Sequence, residues 1–346
     1  MSARDNRDWV LVIRLRQLGD VLASLEVMRA LKAHRPERGV ALVVNAAYAP
    51  LVEHEPYIDR VLVPPARGTL AWARFLRDVR ALSPSSAIDL HGSARAALIT
   101  LASGARQRVG YDLRLRRRAY TVVEPRGEFT DGRRVPHNPI TWGFRLARHA
   151  GCDPVSTLPP ELRVDDDTSQ RARDRLRAAG LSADVIARRG VIALNPGRPV
   201  PSKSWPVERF IDLSRRLRAA GHPVMVFWGP GEEVDANRIA RESGAVCAPS
   251  LSLPEMVGAL RSCAVLVTID SGLKHLAVCA RTPTVTLFGS TDPREWHMGA
   301  ARDALVWKGL SCSPCRRLLC PFGTPCMDIG VDEVVAMLAH STGEAA

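Results

Sequence analysis

A repeated rhythm constrains this chain more than any other feature. Short runs of β-branched and aliphatic residues alternate with amphipathic stretches, and the alternation stops once and then starts again. In the first half, residues 9–13, 40–45, 61–63 and 87–90 read as strands. Residues 20–34, 70–82 and 95–102 read as helices, the first carrying Val21, Leu22, Leu25, Met28 and Leu31 on one face. At Leu158, Pro159 and Pro160, followed by the acidic Asp165, Asp166 and Asp167, the rhythm breaks as at a linker. It resumes with strands at 191–194, 224–228, 265–269 and 284–288 and helices at 207–219, 233–243, 254–261 and 272–280. Strands separated by helices give parallel, doubly wound sheets. The expected fold class is α/β, with two Rossmann-like domains in tandem. A chain of 346 residues suits two such domains. Its 46% hydrophobic and 24% charged residues supply two cores and exclude a disordered or fibrous class.

Forty-eight basic against 36 acidic residues leave a formal charge of +12. Such a field favours anionic partners: phosphorylated sugars, nucleotides, nucleic acid or an acidic membrane surface. Only Lys32, Lys203, Lys274 and Lys308 of those 48 are lysines. No run approaches the ~18–20 apolar residues that span a bilayer. The opening segment, Met1 to Asp8, carries both signs of charge, unlike a signal peptide. The expected compartment is the cytoplasm, where eight cysteines do not read as a disulfide framework.

In doubly wound sheets ligands bind beyond the carboxyl ends of the strands, and two facing domains make one central cleft. The unusual motifs stand at those ends. Gly19 and Asp20 follow the first strand, where Asp20 suits either a helix cap or a general base. No G-x-G-x-x-G dinucleotide fingerprint is present there. Asn195-Pro-Gly197 ends the first strand of the second half and leads through a proline-rich loop to Lys203, a compact cation suited to phosphate. Gly229-Pro-Gly-Glu232 ends the next, with Glu232 able to accept from a ribose diol or simply to start a helix. Asp270-Ser-Gly-Leu-Lys-His275 passes straight from strand to helix. The N–H groups of Ser271, Gly272 and Leu273 then form an anion site. Phe288-Gly-Ser-Thr-Asp-Pro293 could line a base pocket or form an ordinary turn.

Cys312, Cys315, Cys320 and Cys326 follow a C-x₂-C-x₄-C-x₅-C spacing. This suits a structural tetrahedral zinc or single-iron site, with two reversible disulfides or reduced thiols as the alternatives.

As a set, Ile13 to Asp20, Asp89 to Arg95, Arg108 to Asp112, Lys203 to Pro206, Gly229 to Glu232, Asp270 to His275 and Phe288 to Pro293 resemble glycosyltransferase family 9, the heptosyltransferases of lipopolysaccharide core assembly. The resemblance spans nearly the whole chain. It implies a GT-B-type fold: an acceptor-binding domain at 1–165, a nucleotide-sugar-binding domain at 166–330, and a terminal helix in 331–346 packing back toward the N-terminal domain. It implies an inverting enzyme moving a heptose or related sugar from a nucleotide-sugar donor, typically ADP-heptose, onto a lipid-anchored anionic glycan. Asp20 would be the base and Lys203 the catalytic cation. Asn195, Gly197, Gly229, Glu232, Asp270, Ser271, Gly272, Leu273 and His275 would join Lys203 around the donor. Arg14, Ser93, Arg95 and His137 would hold the acceptor, and no divalent metal or other catalytic cofactor is needed. Lys274 stands where the family more usually has an apolar residue. The basic run Arg114 to Arg118 suits peripheral contact with an anionic inner membrane surface.

Two other classes compete. A GT-B-fold nucleotide-sugar epimerase or hydrolase would share the donor pocket without needing an acceptor cradle. A basic nucleic-acid binder fits the charge, but 5% aromatic residues and dispersed cations supply no stacking platform.

Overall fold

The structure, a computed structural model, describes residues 7–130, 133–198 and 200–342, with the backbone alone at 133, 134 and 342. Most of the charged opening segment, Pro199 of the expected phosphate loop and residues 343–346 of the expected terminal segment lie outside the described residues. The chain forms two compact units, Met1–Pro160 and Glu161–Ala346.

In the first unit, β1 (Trp9–Ile13), β2 (Gly39–Val43), β3 (Arg60–Leu62), β4 (Ser86–Asp89), β5 (Gln107–Tyr111) and β6 (Val122–Glu124) form one parallel sheet. Its order is β3-β2-β1-β4-β5-β6. Helices α1 (Leu18–His34), α2 (Ala49–Val52), α3 (Thr69–Ala81) and α4 (Ala94–Ala102) cross between its strands. An antiparallel ribbon, β7 (Phe129–Thr130) with β8 (Arg133–Arg134), and α5 (Pro139–Ala147) complete the unit. Every residue of β1 and β2 is buried, because helices cover both faces of the sheet.

β5 and β6 extend this sheet beyond the four strands that the alternation marks. Gln107 and Arg108 make β5 too polar to read as a buried strand. It pairs with β4 and β6, and Gly110 within it leaves room for the Tyr120 ring, which a Cβ there would meet at 2.4 Å. The start of α1 also differs from expectation. Gln17, at φ 74°, makes the turn, so Gly19 is helical and Asp20 lies inside the first turn instead of capping it.

The second unit begins with α6 (Asp166–Ala178) and α7 (Ala183–Ala187). The acidic run read as linker in fact opens α6. The Asp165 carboxylate accepts from the Thr168 N–H at 2.7 Å, and Asp166 and Asp167 occupy the turn where the helix dipole favours negative charge. Then follow β9 (Val191–Asn195), α8 (Val207–Ala219), β10 (Val224–Val226), α9 (Glu233–Ser243), β11 (Val246–Cys247), α10 (Leu253–Leu260) and β12 (Cys263–Ile269). After these come α11 (Gly272–Cys279), β13 (Thr284–Phe288), α12 (Pro293–Trp296), β14 (Ala304–Trp307) and α13 (Val331–Thr342). The sheet is again parallel, in the order β11-β10-β9-β12-β13-β14.

α13 packs on β12, β13, β14 and α8, all within the second unit. Val334 and Leu338 are buried in that core, each contributing about 1.5–3 kcal/mol. The approach is pinned by Trp205 Nε1, which donates to the Ile329 carbonyl at 2.9 Å.

In each sheet the strand order reverses at a central pair, β1 with β4 and β9 with β12. The segments leaving the carboxyl ends of those four strands contain Arg14 and Asp20, Asp89 to Arg95, Asn195 to Lys203, and Asp270 to His275. These are the positions where doubly wound sheets bind ligands.

Candidate active site

At the switch point of the second unit, Asn195 is the hub. It is completely buried, and both sides of its amide are in use. Nδ2 donates to the Phe227 carbonyl (3.1 Å) and to Glu232 Oε2 (2.8 Å), while Oδ1 accepts from Thr268 Oγ1 (2.9 Å) and Ser271 Oγ (3.3 Å). The Asn195 amide is thus fully engaged within the protein. It sets the positions of the groups around it. Glu232 Oε2 also accepts from the Gly229 N–H at 2.9 Å, so this carboxylate closes the glycine loop and gives α9 no side-chain cap. Gly197, at φ 69°, passes so close to Ile269 that a Cβ would stand 2.5 Å from its side chain.

α11 starts abruptly beyond β12, with Ser271 as N-cap accepting from the Lys274 N–H at 3.5 Å. The N–H groups at its start are the donors that the first turn of any helix leaves unpaired. Beside them Asp270 lies between two ammonium groups. Lys203 Nζ donates to Oδ2 and Lys274 Nζ to Oδ1, each at 3.2 Å. Burial alone would push the Asp270 carboxyl up, but Lys274 and Lys203 outweigh it and hold the group well below the usual carboxylate range. His275 is buried against Trp296, with ring centroids 5.7 Å apart, and burial together with the nearby Lys274 pushes its imidazole well below the ordinary value. It packs as a neutral ring in the core.

At the switch point of the first unit, Arg14 joins two strand ends. Its guanidinium donates to the Leu90 carbonyl beyond β4 and pairs with the Asp20 carboxylate. Both side chains are largely shielded yet reach the surface. Asp89, which motif reading left without a role, organises the next loop. Its Oδ1 accepts from the N–H groups of His91 (2.8 Å) and Gly92 (2.7 Å), and its Oδ2 from the Tyr120 hydroxyl (2.6 Å). An aspartate closing a central strand was the available signal. Ser93 caps α4, accepting from the Ala96 N–H at 3.2 Å. The Arg95 guanidinium lies 5.7 Å from the centroid of the Trp72 ring. His137 belongs to another cluster, 3.0 Å from Glu128 and edge-on to Trp142. Of the four expected acceptor residues, then, only Arg14 pairs directly with Asp20.

His91 carries a pH signature. Burial and the nearby Arg14, Arg16 and Arg126 push its imidazole from 6.5 down to about 4. The unfolded chain takes up a proton near 6.5 and the native protein only near 4, so stability falls as pH drops through that window and is unaffected above it. For a half-buried ring, solvent screening leaves about 1–2 kcal/mol of this slope at pH 4.5. Urea unfolding of His91→Gln should show that much less acid sensitivity than the wild type. Identical slopes for both proteins would remove His91 as its source.

The four clustered cysteines are free thiols. Cys326 is buried, and burial, followed by the nearness of Cys320, Cys315 and Cys312, pushes its thiol up. Among the described residues, however, no three histidine, cysteine, aspartate or glutamate side chains gather as a metal-binding group. As placed, the cysteines do not form the expected tetrahedral site.

Known proteins share this fold. A family model described as glycosyltransferase family 9 (heptosyltransferase) matches residues 72–325. Lipopolysaccharide heptosyltransferase 1 of Pseudomonas aeruginosa is 25% identical over 335 residues, covering 90% of this chain and 87% of that protein. Among solved structures, a glycosyl transferase family 9 protein from Veillonella parvula superimposes with a TM-score of 0.86 at 20% identity, over 98% of each chain. The Escherichia coli ADP-heptose lipopolysaccharide heptosyltransferase II gives 0.77 at 22% identity, over 97% of this chain and 99% of that one. Since the family match runs through Asp89, Lys203 and the Asp270–His275 turn, the chain belongs to glycosyltransferase family 9 and is a glycosyltransferase of the heptosyltransferase kind.

Proposed function

We propose that this enzyme transfers heptose, with inversion, from ADP-heptose to an anionic, lipid-anchored glycan of the lipopolysaccharide inner-core type. The observation that carries the reading is the pairing of Lys203 with Asp270 beside the N-terminus of α11. A cation and a row of free N–H groups at one strand end suit a diphosphate, and a buried carboxylate next to them suits sugar hydroxyls. The second unit accordingly holds the donor and the first the acceptor. Family members named as lipopolysaccharide heptosyltransferases, one of them as an ADP-heptose enzyme, support the choice of substrates.

In the transfer, Asp20 accepts the proton of the acceptor hydroxyl as its oxygen attacks the anomeric carbon from the face opposite the diphosphate. Arg14 orients the Asp20 carboxylate. The bond between anomeric carbon and phosphate oxygen breaks, and the negative charge arriving on the diphosphate meets Lys203 and the N–H groups of Ser271, Gly272 and Leu273. No step runs through the cysteine loop. Arg114, Arg116, Arg117 and Arg118 are exposed, and Leu115 among them is 74% exposed. A basic surface with an apolar tip suits peripheral contact with an anionic membrane that carries the acceptor.

Calorimetry against ADP- and UDP-linked sugars, with and without glycolipid acceptor, tests the reading. Binding of ADP-heptose and acceptor-dependent release of ADP are expected. Binding of UDP-sugars alone would overturn the donor. Release or rearrangement of the sugar without an acceptor would favour a hydrolase or epimerase.

A further inference from the structure

Asp270 holds two lysines at once, and they are not equivalent. The Lys203 side chain is 28% exposed, whereas that of Lys274 is 2% exposed. Lys274 also donates to the Trp296 carbonyl, and its Nζ lies 5.0 Å from the centroid of the Phe288 ring. Fixed at three points and sealed from solvent, it cannot swing out to a ligand. Lys203 can. A carboxylate this well buried stays charged only with a partner inside the protein.

We infer that Lys274 is a positioning residue, the permanent counter-ion that keeps Asp270 charged and aimed at the donor sugar when Lys203 leaves it for the diphosphate. The inference rests on the proposed role of Lys203. Donor binding takes the exposed ammonium from Asp270 Oδ2 and frees that oxygen for sugar hydroxyls, while the bond from Lys274 to Oδ1 persists. Without Lys274, Lys203 could move only if Asp270 took up a proton, and a protonated acid is a poorer acceptor for sugar hydroxyls. The other charged or titratable groups acting on this pair are His275, on the same helix, His297 and Asp303.

The test is donor binding by Lys274→Met, measured by calorimetry at pH 6 and pH 8 in buffers of different ionisation heat. Wild-type enzyme should bind ADP-heptose without taking up a proton. The variant should take up about one, so that its affinity falls about tenfold per pH unit over this range. A purely structural role for Lys274 would weaken binding equally at both pH values. That result, or unchanged affinity without proton uptake, overturns the inference. Failure of the wild-type enzyme to bind any nucleotide sugar would instead reject the reading of the site. If Lys274→Met does not fold, Lys203→Ala decides. With Lys274 alone, the carbon-13 resonance of the Asp270 carboxyl should stay that of a carboxylate from pH 5 to 8, and titration within that range overturns the inference.

Discussion

Asp20→Asn is expected to lower the transfer rate about 10²–10⁴-fold, the usual contribution of a general base, while nucleotide-sugar affinity stays within about twofold of wild type. The amide keeps the size of the side chain, and its oxygen can still accept from Arg14, so the join between β1 and the Leu90 end of β4 survives. Only the capacity to take a proton is lost. The effect should fall on kcat with little change in KM for the donor. Steady-state kinetics with an ADP-release assay, alongside a thermal melt to confirm folding, would measure it. Turnover within tenfold of wild type would remove Asp20 as the base. The residue lies outside the stretch matched by the family model, so this result bears on the assignment more directly than any comparison.

Lys203→Ala should be nearly as damaging by another route. A charge-assisted contact to a diphosphate contributes about 1.5–3 kcal/mol, so ADP affinity should drop about ten- to 100-fold. Because charge grows on the diphosphate as the sugar leaves, kcat should fall as well, by about 10²–10³-fold. The fold itself should tolerate the change, since Asp270 keeps the buried ammonium of Lys274 as its partner. Titration of ADP into the variant, followed by single-turnover kinetics at saturating donor, separates the two losses. Unchanged ADP affinity and rate would strip Lys203 of both roles.

The chemistry-bearing motifs were legible because each is local. Ser271 caps α11 three residues from the N–H it accepts, and Asp165 caps α6 in the same way. Legibility failed where a residue type suits two local uses. Asp20 was compatible with a cap or a base, and only the left-handed turn at Gln17 shows that it caps nothing. The acidic run at Asp165 resembled a linker for the same reason, since charge marks both loops and helix starts. Edge strands such as β6 and β11 are two or three residues long and barely apolar enough to register.

The two doubly wound sheets, their strand ends and the stations of Asp20, Lys203 and Asp270 were written in the sequence alone, because hydrophobic periodicity and turn chemistry act over a few neighbouring residues. Who pairs with whom at those stations was decided by the tertiary structure. Glu232 meets an asparagine 37 positions away and Lys203 an aspartate 67 positions away, while α13 docks on the second sheet. Such pairings depend on which strands become neighbours and how deeply each side chain is buried. Burial makes the choice decisive, because a charge or amide withdrawn from water must find its partner inside the protein.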